Sequence, residues 1–199
     1  MNRKHTIKAL FLTASLGAAF GAMAQTTAGS TVGRNVNQEQ RIENGLQNGT
    51  ITTREGAQLQ KDEARVDHLQ AKDMKNGTLS NSERAQLNAA QNKTSRDIHA
   101  ASSNGVNGNP LSASSQRMQV DTQRNINQQS RIAQGVQNKT LTHHEVGSLE
   151  RGQSHVAGKE YAAGRDGHVG AHEQASVQRS DAHQSHRIHR DKTNAANRG

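Results

Sequence analysis

Three histidines, His183, His186 and His189, recur at intervals of three residues near the end of the chain. On a helix this spacing spreads their side chains over an arc of about 120°, and imidazole nitrogen is a ligand for zinc, copper and nickel. They form a candidate site for a divalent cation; the alternative reading of the same residues is a solvated polar face. Eight of the ten histidines beyond residue 24 follow residue 142, so metal handling belongs to the second half of the chain. Asp166 and Glu173, two carboxylates seven residues apart, are weak candidates for calcium. No other cofactor is expected. The chain has no cysteine, which excludes disulfides, thiol catalysis and thiolate metal sites. It carries no nucleophile elbow, phosphate-binding loop, dinucleotide fingerprint or metalloprotease helix. Its scattered Ser, His and Asp do not frame a triad, and the expectation is that it is not an enzyme.

The elements that must position these residues are written twice. Residues 34–104 align with 124–194 at a constant offset of 90 without a gap, with 21 identities in 71 pairs. Arg34-Asn35-Val36-Asn37-Gln38 returns as Arg124-Asn125-Ile126-Asn127-Gln128, and many other pairs exchange one apolar residue for another. Surface loops tolerate insertions cheaply, so a gapless match of this length implies packed helices joined by short turns. Leu59 and Val66 are seven apart and Leu87 and Ile98 eleven apart; both spacings return to one helical face. Neither unit contains proline. The reading is an all-α fold of two homologous three-helix units, with helices near 34–47, 53–74 and 81–100 and their counterparts 90 residues on. The chain then divides into a signal peptide (1–24), a flexible lead-in (25–33), unit one (34–104), a linker or helix break (105–123), unit two (124–194) and a tail (195–199). The linker holds Gly105, Gly108 and the only proline, Pro110.

The turns between these helices share a pattern. They read Asn48-Gly49-Thr50-Ile51-Thr52-Thr53-Arg54-Glu55, Asn76-Gly77-Thr78-Leu79-Ser80-Asn81-Ser82-Glu83, Asn138-Lys139-Thr140-Leu141-Thr142-His143-His144-Glu145 and Asp166-Gly167-His168-Val169-Gly170-Ala171-His172-Glu173. Thr52 with Glu55, Ser80 with Glu83 and Thr142 with Glu145 have the spacing of capping boxes. The same four segments resemble the second half of an EF-hand calcium loop, with Gly at its sixth position, an aliphatic residue at its eighth and Glu at its twelfth. The first and third positions of the EF-hand pattern depart from it: they are Asn44 and Leu46, Lys72 and Met74, Gln134 and Val136, and Ala162 and Gly164. Tight calcium binding is therefore not expected. Leu141-Thr142-x-x-Glu145 and Leu79-Ser80-x-x-Glu83 are also similar to the Leu-Thr-x-x-Gln motif of periplasmic helical chaperones, with Glu in place of Gln. That resemblance implies a protein that holds clients or partners.

Residues 1–24 read as a cleavable secretory signal. Arg3, Lys4 and Lys8 precede an apolar run over 9–22, and Ala22-Met23-Ala24 supplies a small-x-small cleavage site. The expected location is periplasmic or secreted, with the cut after Ala24 and no membrane span afterwards. Cleavage would lower the formal charge of +8 by the three cations of the signal. One aromatic, Tyr161, then remains, so stacking platforms for single strands are absent and no specific nucleic-acid binding is expected. Few large apolar residues imply thin seams, such as Leu59/Val66 and Leu149/Val156, left partly available to a partner. The functional expectation is a non-enzymatic exported interaction protein, an envelope-stress or chaperone-like adaptor for an unknown protein partner or client. The alternative is a divalent-metal-binding protein working through its histidine-rich second unit or its EF-hand-like loops.

Overall fold

A computed structural model describes residues 28–77 and 79–194; the expected signal peptide and the 195–199 tail lie outside them. The fold is all-α. Six helices follow in order: α1 (Ala28–Asn48), α2 (Thr53–Asp73), α3 (Asn81–Ser103), α4 (Ala113–Gln137), α5 (His143–Gly164) and α6 (Ala171–Thr193). None of the helices among the described residues is long and apolar enough to cross a membrane.

Local chemistry starts three of these helices in the same way. The hydroxyls of Thr52, Ser80 and Thr142 accept the amides of Glu55, Glu83 and Glu145 at 3.2, 3.3 and 3.2 Å. Each Glu carboxylate reaches back to the amide of its capping residue at 2.8–2.9 Å. Each box satisfies two otherwise orphaned donors. At the fourth corner Gly170 has no side chain, so only Glu173 reaches back, to the Gly170 amide at 2.8 Å. Glu55 and Glu145 use their second oxygens to hold Asn104 and Asn194, at 2.6 and 2.7 Å. The end of the third helix in each unit is thereby latched to the start of the second.

Two boundaries differ from the sequence reading. Helix α1 starts at Ala28, inside the expected lead-in, and α4 starts at Ala113, so residues 113–123 are three turns of helix rather than linker. The α1 extension holds two glycines with Ser, Thr and Val, weak helix formers, and tertiary burial compensates. Met118 from the α4 extension is buried beside Ile42 and Leu46. Val32 from the α1 extension is buried beside Ile132 and Leu149. Ser112, two residues after Pro110, caps α4 by accepting the Ser115 amide at 3.2 Å.

The two units pack together around a pseudo-twofold axis, with α2 on α5 and α1 on α4, and their apolar residues form two clusters, each drawing on both units. Ser154 Oγ donates to the Ala64 carbonyl at 2.8 Å; these residues are duplicates of each other and mark the axis. On one side of it α2 and α5 meet through Ala57 and Gly164, and on the other through Met74 and Gly147. Positions 57 and 147 are duplicates, as are 74 and 164, so the contacts exchange under the symmetry and the helices run antiparallel. A Cβ on Gly164 would stand 2.9 Å from that of Ala57, and only glycine permits this approach. Helices α3 and α6 flank the central four, each packing on the other two helices of its own unit.

The seams expected to face a partner are closed. Leu59, Val66, Leu149 and Val156 are at most 3% exposed: Leu59 and Leu149 belong to apolar clusters that draw on both units, and Val66 and Val156 lie against the third helix of their own unit.

Candidate functional site

The centre of the four paired helices is polar, against the usual rule for a core. Asn35 and Glu39 enter it from α1, and Gln60, Glu63, Asp67 and Gln70 from α2. Asn125 and Gln129 enter from α4, and Glu150, Gln153 and Glu160 from α5. None of these side chains is more than 3% exposed. Helix periodicity places them there: 60, 63, 67 and 70 are spaced three, four and three apart, which holds them on one stripe.

The layer is ordered by amide–carboxyl hydrogen bonds. Gln60 Nε2 donates to Glu39 at 2.8 Å, and Gln129 Nε2 donates to Glu150 at 3.2 Å. These two bonds are symmetry mates with the roles exchanged: the acid is on the first helix of unit one and on the second helix of unit two. Asn35 Nδ2 donates to Asp67 at 3.0 Å and to Gln70 at 3.3 Å, while Asn125 Nδ2 donates to Glu160 at 2.7 Å. Two bonds cross between units, from Gln129 Nε2 to Asp67 at 3.2 Å and from Asn125 Nδ2 to Gln60 at 3.5 Å. Four duplicated positions show the same exchange: Glu39 with Gln129, Gln60 with Glu150, Glu63 with Gln153, and Gln70 with Glu160. A protonated Glu and a Gln share shape and can both donate and accept, so either fits the same place in a closed core.

Electrostatics agrees with neutral acids. Burial pushes Glu39 up to about 8, against a lowering hydrogen bond from Gln60. Burial likewise pushes Glu150 up to about 7. It holds Glu63, Asp67 and Glu160 well above the carboxylate range, with neighbouring acids adding to the effect. Both carboxyl oxygens of Glu63 lack a hydrogen-bond partner among the described residues, which an ionised group could not sustain. Nearer the rim, burial raises Glu43, Asp121 and Asp181 to about 7. The half-buried Arg124 opposes this at Asp181, 3.9 Å away.

The expected ligands fall elsewhere. His183, His186 and His189 are exposed on α6. Asp166 Oδ1 accepts the His168 amide at 2.9 Å, closing its own turn, and Glu173 is committed to the Gly170 amide. Among the described residues no group of three or more His, Asp or Glu is placed to hold a metal ion. At the EF-hand-like loops, Leu46 and Met74, third-position residues, are core side chains. The buried acids escaped the sequence reading because a Glu or Gln on a helix reads as a solvated face. The signal that could have found them is the Glu-for-Gln exchange at four duplicated positions.

The sequence matches no known protein family, and no curated protein or solved structure is similar to it.

Proposed function

We propose that this chain is a non-enzymatic, exported helical interaction protein whose fold is built to hold in acid. One observation carries the reading: the acids Glu39, Glu63, Asp67, Glu150 and Glu160 are sealed at the centre of the four-helix core. A sealed layer of neutral acids gives a substrate no access. It does couple the fold to the proton concentration, which suits a compartment that follows the pH of the exterior. Partner recognition then belongs to the outer surface. The large apolar residues of that surface are Val106, Leu111 and Val120, exposed at the junction of the units, and the remainder is largely polar and charged.

The direction of the pH dependence follows from the raised acids. The folded state binds protons that the unfolded chain, with ordinary carboxyl groups near pH 4, has released. The stabilisation is fully present below that value and is lost as pH rises through about 7–8, the range reached by Glu150 and Glu39. Thermal unfolding followed by circular dichroism tests this. Tm is expected to be at least about 5–10 °C higher at pH 5 than at pH 8.5. A Tm that is flat or rises across that interval would refute the reading.

A further inference from the structure

Between α5 and α6 runs an exposed groove of about 530 Å³. Arg151 and His155 line it from α5, and Arg179, His183 and Arg187 from α6, with no acidic residue in the lining. Arg151 and Arg179 are exposed, and neither has an ion-pair or hydrogen-bond partner among the described residues. Arg187 is fixed in place: one guanidinium nitrogen donates to the Ser148 carbonyl at 3.0 Å and to its hydroxyl at 2.8 Å. Gly152 makes this possible, because a Cβ there would collide with Gln184 Oε1 and stand 2.8 Å from Arg187 Nη1.

The duplicate groove between α2 and α3 shows what the second unit has gained. There Asp62 occupies the place of Gly152, Lys93 that of His183 and Asp97 that of Arg187. Lys93 is paired with Asp97 and, at 3.5 Å, with Asp62, so the cation is neutralised within the groove. In the second unit both acids are gone, one replaced by glycine and the other by arginine, and Ala89 has become Arg179.

We propose that the α5/α6 groove is a binding site for a multivalent phosphate, either a free oligophosphate or the phosphate of an anionic lipid headgroup. Arg151 and Arg179 supply free forked donors that match phosphate oxygens, and the imidazoles of His155 and His183 add single N–H donors. Two unpaired arginines on facing walls, Arg151 and Arg179, call for more than one negative charge. The groove has no Phe, Tyr or Trp in its lining, which disfavours base stacking, and the recognition proposed is of phosphate. The volume lies within the range of small-ligand pockets, about 300–1,000 Å³. The site supplies a ligand for the interaction reading but stands on the surface of α5 and α6, independent of the protonation of the core.

Calorimetric titration of the purified chain with sodium tripolyphosphate at low salt tests the site, with Arg151→Glu/Arg179→Glu as the site variant and Arg65→Glu in the duplicate groove as control. The expected result is stoichiometric binding, weakened at least tenfold in the double variant and less than twofold in the control. Both variants should keep wild-type circular dichroism, since all three arginines are exposed. No binding by the wild-type chain, or equal weakening in site variant and control, would overturn the proposal. Cosedimentation with phosphatidylglycerol vesicles separates the sources. Vesicle binding lost in the double variant assigns the headgroup, and tripolyphosphate binding without vesicle binding assigns the free anion. Binding of a single-stranded oligonucleotide tighter than tripolyphosphate of equal charge would refute recognition of phosphate alone. Failure here leaves the pH-dependent Tm untouched, and the reverse holds equally.

Discussion

The centre of the molecule and its flanks have treated the same duplication in opposite ways. At the centre, Glu39, Gln60, Glu63 and Gln70 are answered 90 residues later by Gln129, Glu150, Gln153 and Glu160. Each of these four changes keeps length, shape and hydrogen-bonding capacity, while Asp67 beside them is answered by Ala157. On the flanks, Asp62, Lys93 and Asp97 are answered by Gly152, His183 and Arg187, and the groove loses its acids and becomes more positive. The difference is physical. A closed core transmits every change of volume and leaves no unpaired polar group cheap, while an exposed groove is screened by solvent and tolerates new charge. Divergence of function between the units is therefore to be sought on α5 and α6.

The comparison breaks most readily at the core. Leu149 is fully buried, and Leu149→Ala is expected to cost about 2–5 kcal/mol in urea unfolding. A cost below about 1 kcal/mol would mean that the two units do not share a core. Next in size is the pH term. Glu63→Gln replaces a raised buried acid by its neutral counterpart, the residue already present at position 153. The variant should match the wild type at pH 5 and exceed it by about 1–3 kcal/mol at pH 8.5, since it has no proton to lose. Equal pH profiles in the two proteins would remove Glu63 from the pH response.

Smaller effects belong to the corners. Thr142→Ala removes a hydroxyl that caps α5 and should cost about 1 kcal/mol. Position 139 offers the smallest and most pointed test. Gly49 turns the first corner with a φ of 79°, and its duplicate Lys139 does the same with a φ of 54°. A left-handed conformation strains any residue with a Cβ, so Lys139→Gly is expected to stabilise by about 0.5–1 kcal/mol. Destabilisation on that change would show that the lysine side chain makes a contact outweighing its backbone strain.

Much of the architecture was legible in the chain. Thr52-x-x-Glu55, Ser80-x-x-Glu83 and Thr142-x-x-Glu145 mark helix starts because a capping box needs only residues three apart. The apolar spacing of Leu59 and Val66 reports a face, and the constant offset of 90 reports two copies of one unit. The early starts of α1 and α4 were hidden, since Gly29, Ser30, Thr31 and Gly33 disfavour a helix and 113–123 adjoin the segment that holds Gly105, Gly108 and Pro110; Val32 and Met118 are buried in clusters shared with the other unit.

The sequence by itself determined the helices, their caps and the duplication, all of which rest on interactions between residues a few positions apart. Only the tertiary structure decided which faces meet. Antiparallel pairing of α2 with α5 and α1 with α4 brought apolar residues of both units into shared clusters, and it turned the stripe Gln60–Glu63–Asp67–Gln70 inward. The same pairing set α6 outward, leaving Arg179 beside Arg151 without an acid between them. Burial and charge neighbourhood are sums over residues distant in the chain, and no local pattern encodes them.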